Sequence, residues 1–237
     1  MPHDTNLAVT RFADSVGSAV VFEMKASSFS KIYLKNTESG QPIRDALYKH
    51  IQDVLELSTT VKESVSGKNV VVFDIPRGGV PSADAAFDYF QNSTSAASIQ
   101  HISSQLKTLP DNLFPENMNF ANTDTLIIVD AVVATGKTIC DHLDQVPDSF
   151  TGKVILLSNA TAEKGVCAFN DSLNANGLSG FHVTGGIIAD KDCIMKVIDG
   201  KQVYIVGLGD IGDAVSVDPI AKSAQPMKTR KVVPGGQ

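Results

Sequence analysis

Apolar residues follow two rhythms along this chain. From Pro42 onward, Ile43, Ala46, Leu47, Ile51, Val54 and Leu55 recur every three or four positions, with Lys49, Gln52, Asp53 and Glu56 between them. That spacing predicts an amphipathic helix, and Ser66-Gly67-Lys68-Asn69 then breaks the chain. Elsewhere the apolar residues are continuous: Val70–Phe73, Leu126–Val129, Val154–Leu157, Phe181–Ile188 and Val203–Val206. Short unalternating runs predict strands covered on both faces, as in a parallel sheet. Helical stretches at 79–90, 137–145 and 162–175 separate them, so the class is α/β with a central, mainly parallel sheet flanked by helices. Short apolar runs before residue 40, such as Ala19–Phe22, predict short strands or a hairpin. The polar stretch Ser103–Asp124, with Pro110 and Pro115, reads as a long excursion of the kind that often forms a lid.

Composition narrows the class. The chain has 237 residues, of which 43% are hydrophobic and 19% charged, enough to bury a sizeable core. A net charge of −6 argues against coating nucleic acid or an anionic membrane by bulk electrostatics, but leaves room for a local basic pocket. No apolar run reaches the roughly 18 residues of a membrane helix, and the polar start of the chain shows no signal-peptide h-region. The three cysteines, Cys140, Cys167 and Cys193, form no Cys-x-x-Cys pair and read as buried free thiols of a cytoplasmic protein. The five histidines show no i,i+4 pair, so any metal is expected to be a hard cation carried by phosphates.

Three loops at strand ends carry the chemistry, because ligands of open α/β sheets bind at the carboxyl ends of strands. Asp130-Ala131-Val132-Val133-Ala134-Thr135-Gly136-Lys137-Thr138 follows the second apolar run, with a carboxylate placed at the strand end. Its small residues, threonines and glycine suit a phosphate cradle. A Walker A loop needs Gly where Ala131 stands. Asp74-Ile75-Pro76-Arg77-Gly78-Gly79 follows the first run and sets a fixed cation beside backbone that a ligand can approach closely. Gly207-Leu208-Gly209-Asp210-Ile211-Gly212-Asp213 spells the dinucleotide fingerprint, but only 25 residues follow Gly212, too few for the rest of that unit.

In this order the loops resemble the type I phosphoribosyltransferases. The segment 126–138 is similar to their phosphoribosyl pyrophosphate (PRPP) loop, with a single carboxylate as in the uracil phosphoribosyltransferase branch. Tyr204–Asp213 resembles that branch's C-terminal pattern without its proline, and Ser158–Gly165 its loop of small residues before Glu-Gly. The resemblance implies one domain over 1–216, with hood elements from about 1–60 and 187–216, and a Pro/Lys-rich tail over 217–237. It also implies transfer of ribose 5-phosphate from PRPP to uracil or a similar base, with Mg²⁺. Asp130 would hold the ribose and favour positive charge on it. Ala131, Val133, Ala134, Thr135, Gly136, Lys137 and Thr138 would hold the 5′-phosphate. Arg77 and Gly78 would take the pyrophosphate, and Asp210 would steer Mg²⁺. Tyr204, Ile205, Gly207, Gly209 and Ile211 would read the base.

Departures from the family pattern are specific. Between His101 and Asn117, Lys107 is the only lysine or arginine where the family has arginine, and Ala214 stands where it has a basic residue. Other readings therefore stay open: a different acceptor, a non-catalytic PRPP-binding regulator, or a P-loop NTPase. The expected partners are PRPP and a nucleobase, with no nucleic acid and no membrane. The family leads one to expect a homodimer or higher homo-oligomer.

Overall fold

A computed structural model describes residues 21–23, 41–76, 78–93, 95–103, 113–116, 118–188, 193–198, 201–206 and 229–232. In chain order its elements are β1 (Val21–Glu23), α1 (Gln41–Leu57), α2 (Thr59–Val65), β2 (Asn69–Asp74), α3 (Val80–Ser93) and β3 (Ser98–Ser103). A short 3₁₀ turn (Phe120–Asn122) leads to β4 (Thr125–Val133), α4 (Lys137–Leu143), β5 (Lys153–Ala162) and α5 (Glu163–Ala175). The last strands are β6 (Ser179–Thr184), β7 (Ile187–Ile188), β8 (Cys193–Ile198), β9 (Lys201–Val206) and β10 (Thr229–Val232).

The main sheet runs β1-β6-β5-β4-β2-β3-β10, with β7 paired to β5. Every pairing is parallel except that of β10 with β3. The continuous apolar runs are explained by two cores. Val70 and Val72 of β2, Ile127 and Val129 of β4, and Ile155 and Leu157 of β5 join one core with α1, α2 and α3. Their neighbours Val71, Phe73, Leu126, Ile128, Val154 and Leu156 join the other with α4 and α5. Successive strand side chains point to opposite faces, so both faces need apolar residues.

Local signals explain the helices. In α1, Ile43, Leu47, Ile51, Val54 and Leu55 are all buried, as their spacing predicts. Ser58 caps α2 by accepting a 3.4 Å hydrogen bond from the Val61 N–H.

Several expectations need correction. The run 181–188 is two strands, because the chain turns at Gly185-Gly186 before β7. Val203–Val206 lies outside the main sheet; β9 pairs antiparallel with β8 in a separate two-stranded sheet. Four residues of the expected tail, Thr229–Val232, form an edge strand along β3. Strand β3 itself had no apolar run to mark it. Cys140 is half-buried and Cys167 exposed, so these free thiols are not core residues.

The winding of the sheet reverses between β2 and β4. From β2 the chain goes to β3 on one side, then returns to β4 on the other. Open α/β sheets bind ligands at such a switch point, which here lies at the carboxyl ends of β2 and β4.

Candidate active site

The loop after β2 is pinned to β4. Ile75 N–H donates to the Val129 carbonyl at 2.9 Å, and Gly79 N–H returns to the Ile75 carbonyl at 3.1 Å. A Cβ on Gly79 would lie 2.5 Å from both the Ile75 and Val129 carbonyl oxygens, so only glycine fits. This seats the 75–79 loop on the peptide that joins Val129 to Asp130. Gly78 and Gly79 are buried; Arg77 lies outside the described residues.

Asp130 does not end its strand. β4 continues to Val133, pairing Asp130 with Ser158, Val132 with Ala160 and Val133 with Thr161. The extra length comes from β5, which supplies partners as far as Ala162. Asp130 is half-buried, Ala131 packs with Ile43 and Leu47 of α1, and Val133 enters the core beneath α4 and α5.

The turn Ala134–Gly136 then opens α4. Gly136 has φ +76°, and a Cβ there would meet the Ala168 Cβ at 2.7 Å. Gly165, at the start of α5, approaches just as closely: its Cβ would sit 2.7 Å from the Val133 carbonyl and 3.1 Å from that of Ala134. The turn is thus wedged against α5 by two glycines. Ala134, Thr135 and Thr138 are half-buried. Lys137 is exposed and donates to both Asp141 oxygens at 2.7 and 2.9 Å, and that hydrogen bond pushes its ammonium pKa up.

Polar clusters that the apolar pattern did not reveal flank these loops. Asp74, the last residue of β2, is fully buried. Its Oδ2 accepts from Ser103 Oγ at 2.7 Å and His101 Nε2 at 3.1 Å, while Oδ1 has no hydrogen-bond partner among the described residues. His101 Nδ1 lies 3.6 Å from Asp84 of α3. Burial pushes the Asp84 carboxyl pKa up, and His101 draws it back down.

Beyond β4, Asn159 donates to the Leu47 carbonyl at 3.0 Å, lies 3.1 Å from His50 Nδ1 and accepts from Ser82 Oγ at 2.5 Å. His182 Nε2 shares hydrogen bonds with Ser158 and Thr161 hydroxyls at 3.0 and 3.1 Å. Burial holds both imidazoles neutral, pushing His50 down to about 4 and His182 to about 3. For Asp74, Ser158 and Asn159 the sequence signal is a polar residue just beyond an apolar run; His50, His101 and His182 have no such signal.

The structure brings the first two loops together. Of the third, Tyr204 and Ile205 lie in β9 opposite Met195 and Ile194. Gly207, Gly209, Asp210 and Ile211 lie outside the described residues. Among the described residues no cluster of three or more His, Cys, Asp or Glu could cage a metal, and no helix is long and apolar enough to cross a membrane.

A family model for uracil phosphoribosyltransferase matches residues 41–215. A uracil phosphoribosyltransferase of Haloquadratum walsbyi is 27% identical over 180 residues, which cover 70% of this chain and 72% of that protein. One from Methanococcus maripaludis strain C7 is 27% identical over 169 residues, 67% of this chain but only 64% of the relative's length. The AQ2163 protein of Aquifex aeolicus matches in fold alone, with a TM-score of 0.54 at 19% identity, over 84% of this chain and 100% of that one. The chain therefore belongs to the uracil phosphoribosyltransferase family and is a phosphoribosyltransferase.

Proposed function

We propose that the protein transfers the 5-phosphoribosyl group of PRPP to uracil, forming UMP and releasing pyrophosphate. The observation that carries this reading is the seating of the 75–79 loop on the Val129–Asp130 peptide at the sheet's switch point. It sets a loop suited to pyrophosphate beside a carboxylate suited to ribose. The bond from the ribose anomeric carbon to pyrophosphate breaks, with its electron pair leaving on oxygen. A ring nitrogen of the base attacks that carbon and loses its proton to solvent. Positive charge develops on the ribose between these events, and a fixed anion stabilises it without reorganising.

In this reading Asp130 holds the ribose hydroxyls and faces the positive ring. The turn Ala134–Thr138 surrounds the 5′-phosphate, and its wedging against α5 keeps it preorganised. Arg77 and Gly78 hold the pyrophosphate. Backbone groups of Ile205, Gly209 and Ile211 read the base edge, with Tyr204 and Gly207 shaping the pocket.

The oxygen donors beside the turn, the Asp130 carboxylate and the Thr135 and Thr138 hydroxyls, suit Mg²⁺, which needs only one or two carboxylates beside phosphates. Asp210 would hold it through water, together with the phosphates of PRPP, and it would neutralise charge on the departing pyrophosphate. The free thiols Cys140 and Cys167 suit a reducing cytoplasm. Family membership supports a homodimer or larger homo-oligomer.

A second reading is transfer to another base or small nucleophile. It is favoured by the missing proline at Val206-Gly207, since specificity would rest on that backbone. One assay separates the readings: incubate the protein with PRPP, Mg²⁺ and a panel of bases, and follow pyrophosphate release. Release that depends on uracil supports the first, and release with another base the second. Tight PRPP binding without release points to a regulator.

A further inference from the structure

Three elements meet at one buried imidazole. His101 sits near the end of β3, bonded through Nε2 to Asp74 at the end of β2, with Nδ1 facing Asp84 of α3. The tautomer protonated at Nε2 donates to the Asp74 Oδ2, 3.1 Å away. β2 and α3 are the two elements that bracket the 75–79 loop. Asp74 and Ser103 are also register partners, so the cluster joins the last rungs of β2 and β3. A buried carboxylate must be compensated. Asp74 has two donors on one oxygen and no described partner on the other, so each existing donor matters.

We propose that His101 is a positioning residue for the pyrophosphate-facing loop. It holds the Asp74 carboxylate, and through it the backbone entering Ile75-Pro76-Arg77-Gly78-Gly79. The proposal rests on the PRPP reading above. It adds to the loop's own contacts a histidine that touches no substrate. Without the Nε2 donor, the buried Asp74 carboxylate turns toward other donors or toward water. The loop that starts at the next residue then leaves its seat on Val129.

The test is calorimetric titration of the full chain with PRPP and with inorganic pyrophosphate, both with Mg²⁺, alongside steady-state kinetics. His101→Gln keeps an N–H near the Nε2 position, and His101→Leu removes it. The expected result is binding about tenfold or more weaker for both ligands in His101→Leu, the scale of one lost buried hydrogen bond to a charge. KM for PRPP should rise more than kcat falls, and His101→Gln should restore most of the loss. Wild-type affinities in a folded His101→Leu variant, or equal losses in both variants, would overturn the proposal alone. Should His101→Leu fail to fold, Ser103→Ala removes the other donor to the same oxygen: weaker pyrophosphate binding supports the proposal, and unchanged binding overturns it. If wild-type protein binds neither ligand, the PRPP reading fails and this inference with it.

Discussion

Gly79 lies so close to the Val129 carbonyl that a single added carbon would sit 2.5 Å from its oxygen. That contact joins the two loops that matter most, because the next residue after Val129 is Asp130. A switch point is common to many α/β proteins. Here glycine backbone sets how closely the two loops approach.

Gly79→Ala should therefore damage both stability and the site. The new methyl group meets two backbone oxygens that cannot swing away, an overpacking that costs about 1–3 kcal/mol or more. The expected outcome is a lower melting temperature together with a higher KM for PRPP. A variant with wild-type kinetics would show that the loop's seat does not set the site.

Asp130→Asn keeps shape and removes charge. If the carboxylate acts on the positive ribose, turnover should fall by roughly a hundredfold or more, in line with the loss of one preorganised electrostatic group. PRPP affinity should fall much less. Single-turnover kinetics with parallel binding measurements separate the two effects.

Two histidines make stability depend on acid. His50 and His182 are depressed from 6.5 to about 4 and about 3 by burial. Below pH 6.5 the unfolded chain takes up protons at both sites while the folded chain does not. The stability they contribute is complete above pH 6.5 and is lost as pH falls toward the folded values, at about 1.4 kcal/mol per pH unit for each fully shifted group. Thermal unfolding should give a flat melting temperature from pH 7 to 8 and a steep fall below 6.5. His182→Gln should make that fall shallower; an unchanged slope would contradict the assignment.

Thiol chemistry offers a simple check on packing. Cys167 is exposed, whereas Cys140 is half-buried, its Sγ 3.4 Å from the Ala168 carbonyl. Burial also pushes the Cys140 thiol pKa up, which lowers its thiolate fraction. Brief iodoacetamide treatment followed by peptide mapping should label Cys167 ahead of Cys140.

The core strands were legible because β2, β4 and β5 feed two cores at once, and a continuous apolar run is the result. β3 was not, since Ser98-Ile99-Gln100-His101-Ile102-Ser103 carries polar residues, of which His101 and Ser103 bond Asp74. The break at Gly185 reflects tertiary contact: a Cβ there would meet His50 Cε1, which lies 135 residues earlier in the chain. β9 reads like a core strand, and periodicity alone does not say which sheet a short apolar run joins. The PRPP-type loop was legible as residue types in order. The carboxylate–histidine cluster beside it was not, because Asp74 and His101 are 27 residues apart and meet only through strand register.

The most direct measurement of the central claim is product formation. Purified protein is mixed with uracil, PRPP and Mg²⁺, and UMP and pyrophosphate are quantified together. The account predicts equal amounts of both, formed only when PRPP and uracil are both present and nearly abolished by Asp130→Asn. Pyrophosphate without UMP, or no product from protein that is folded and binds PRPP, would contradict it.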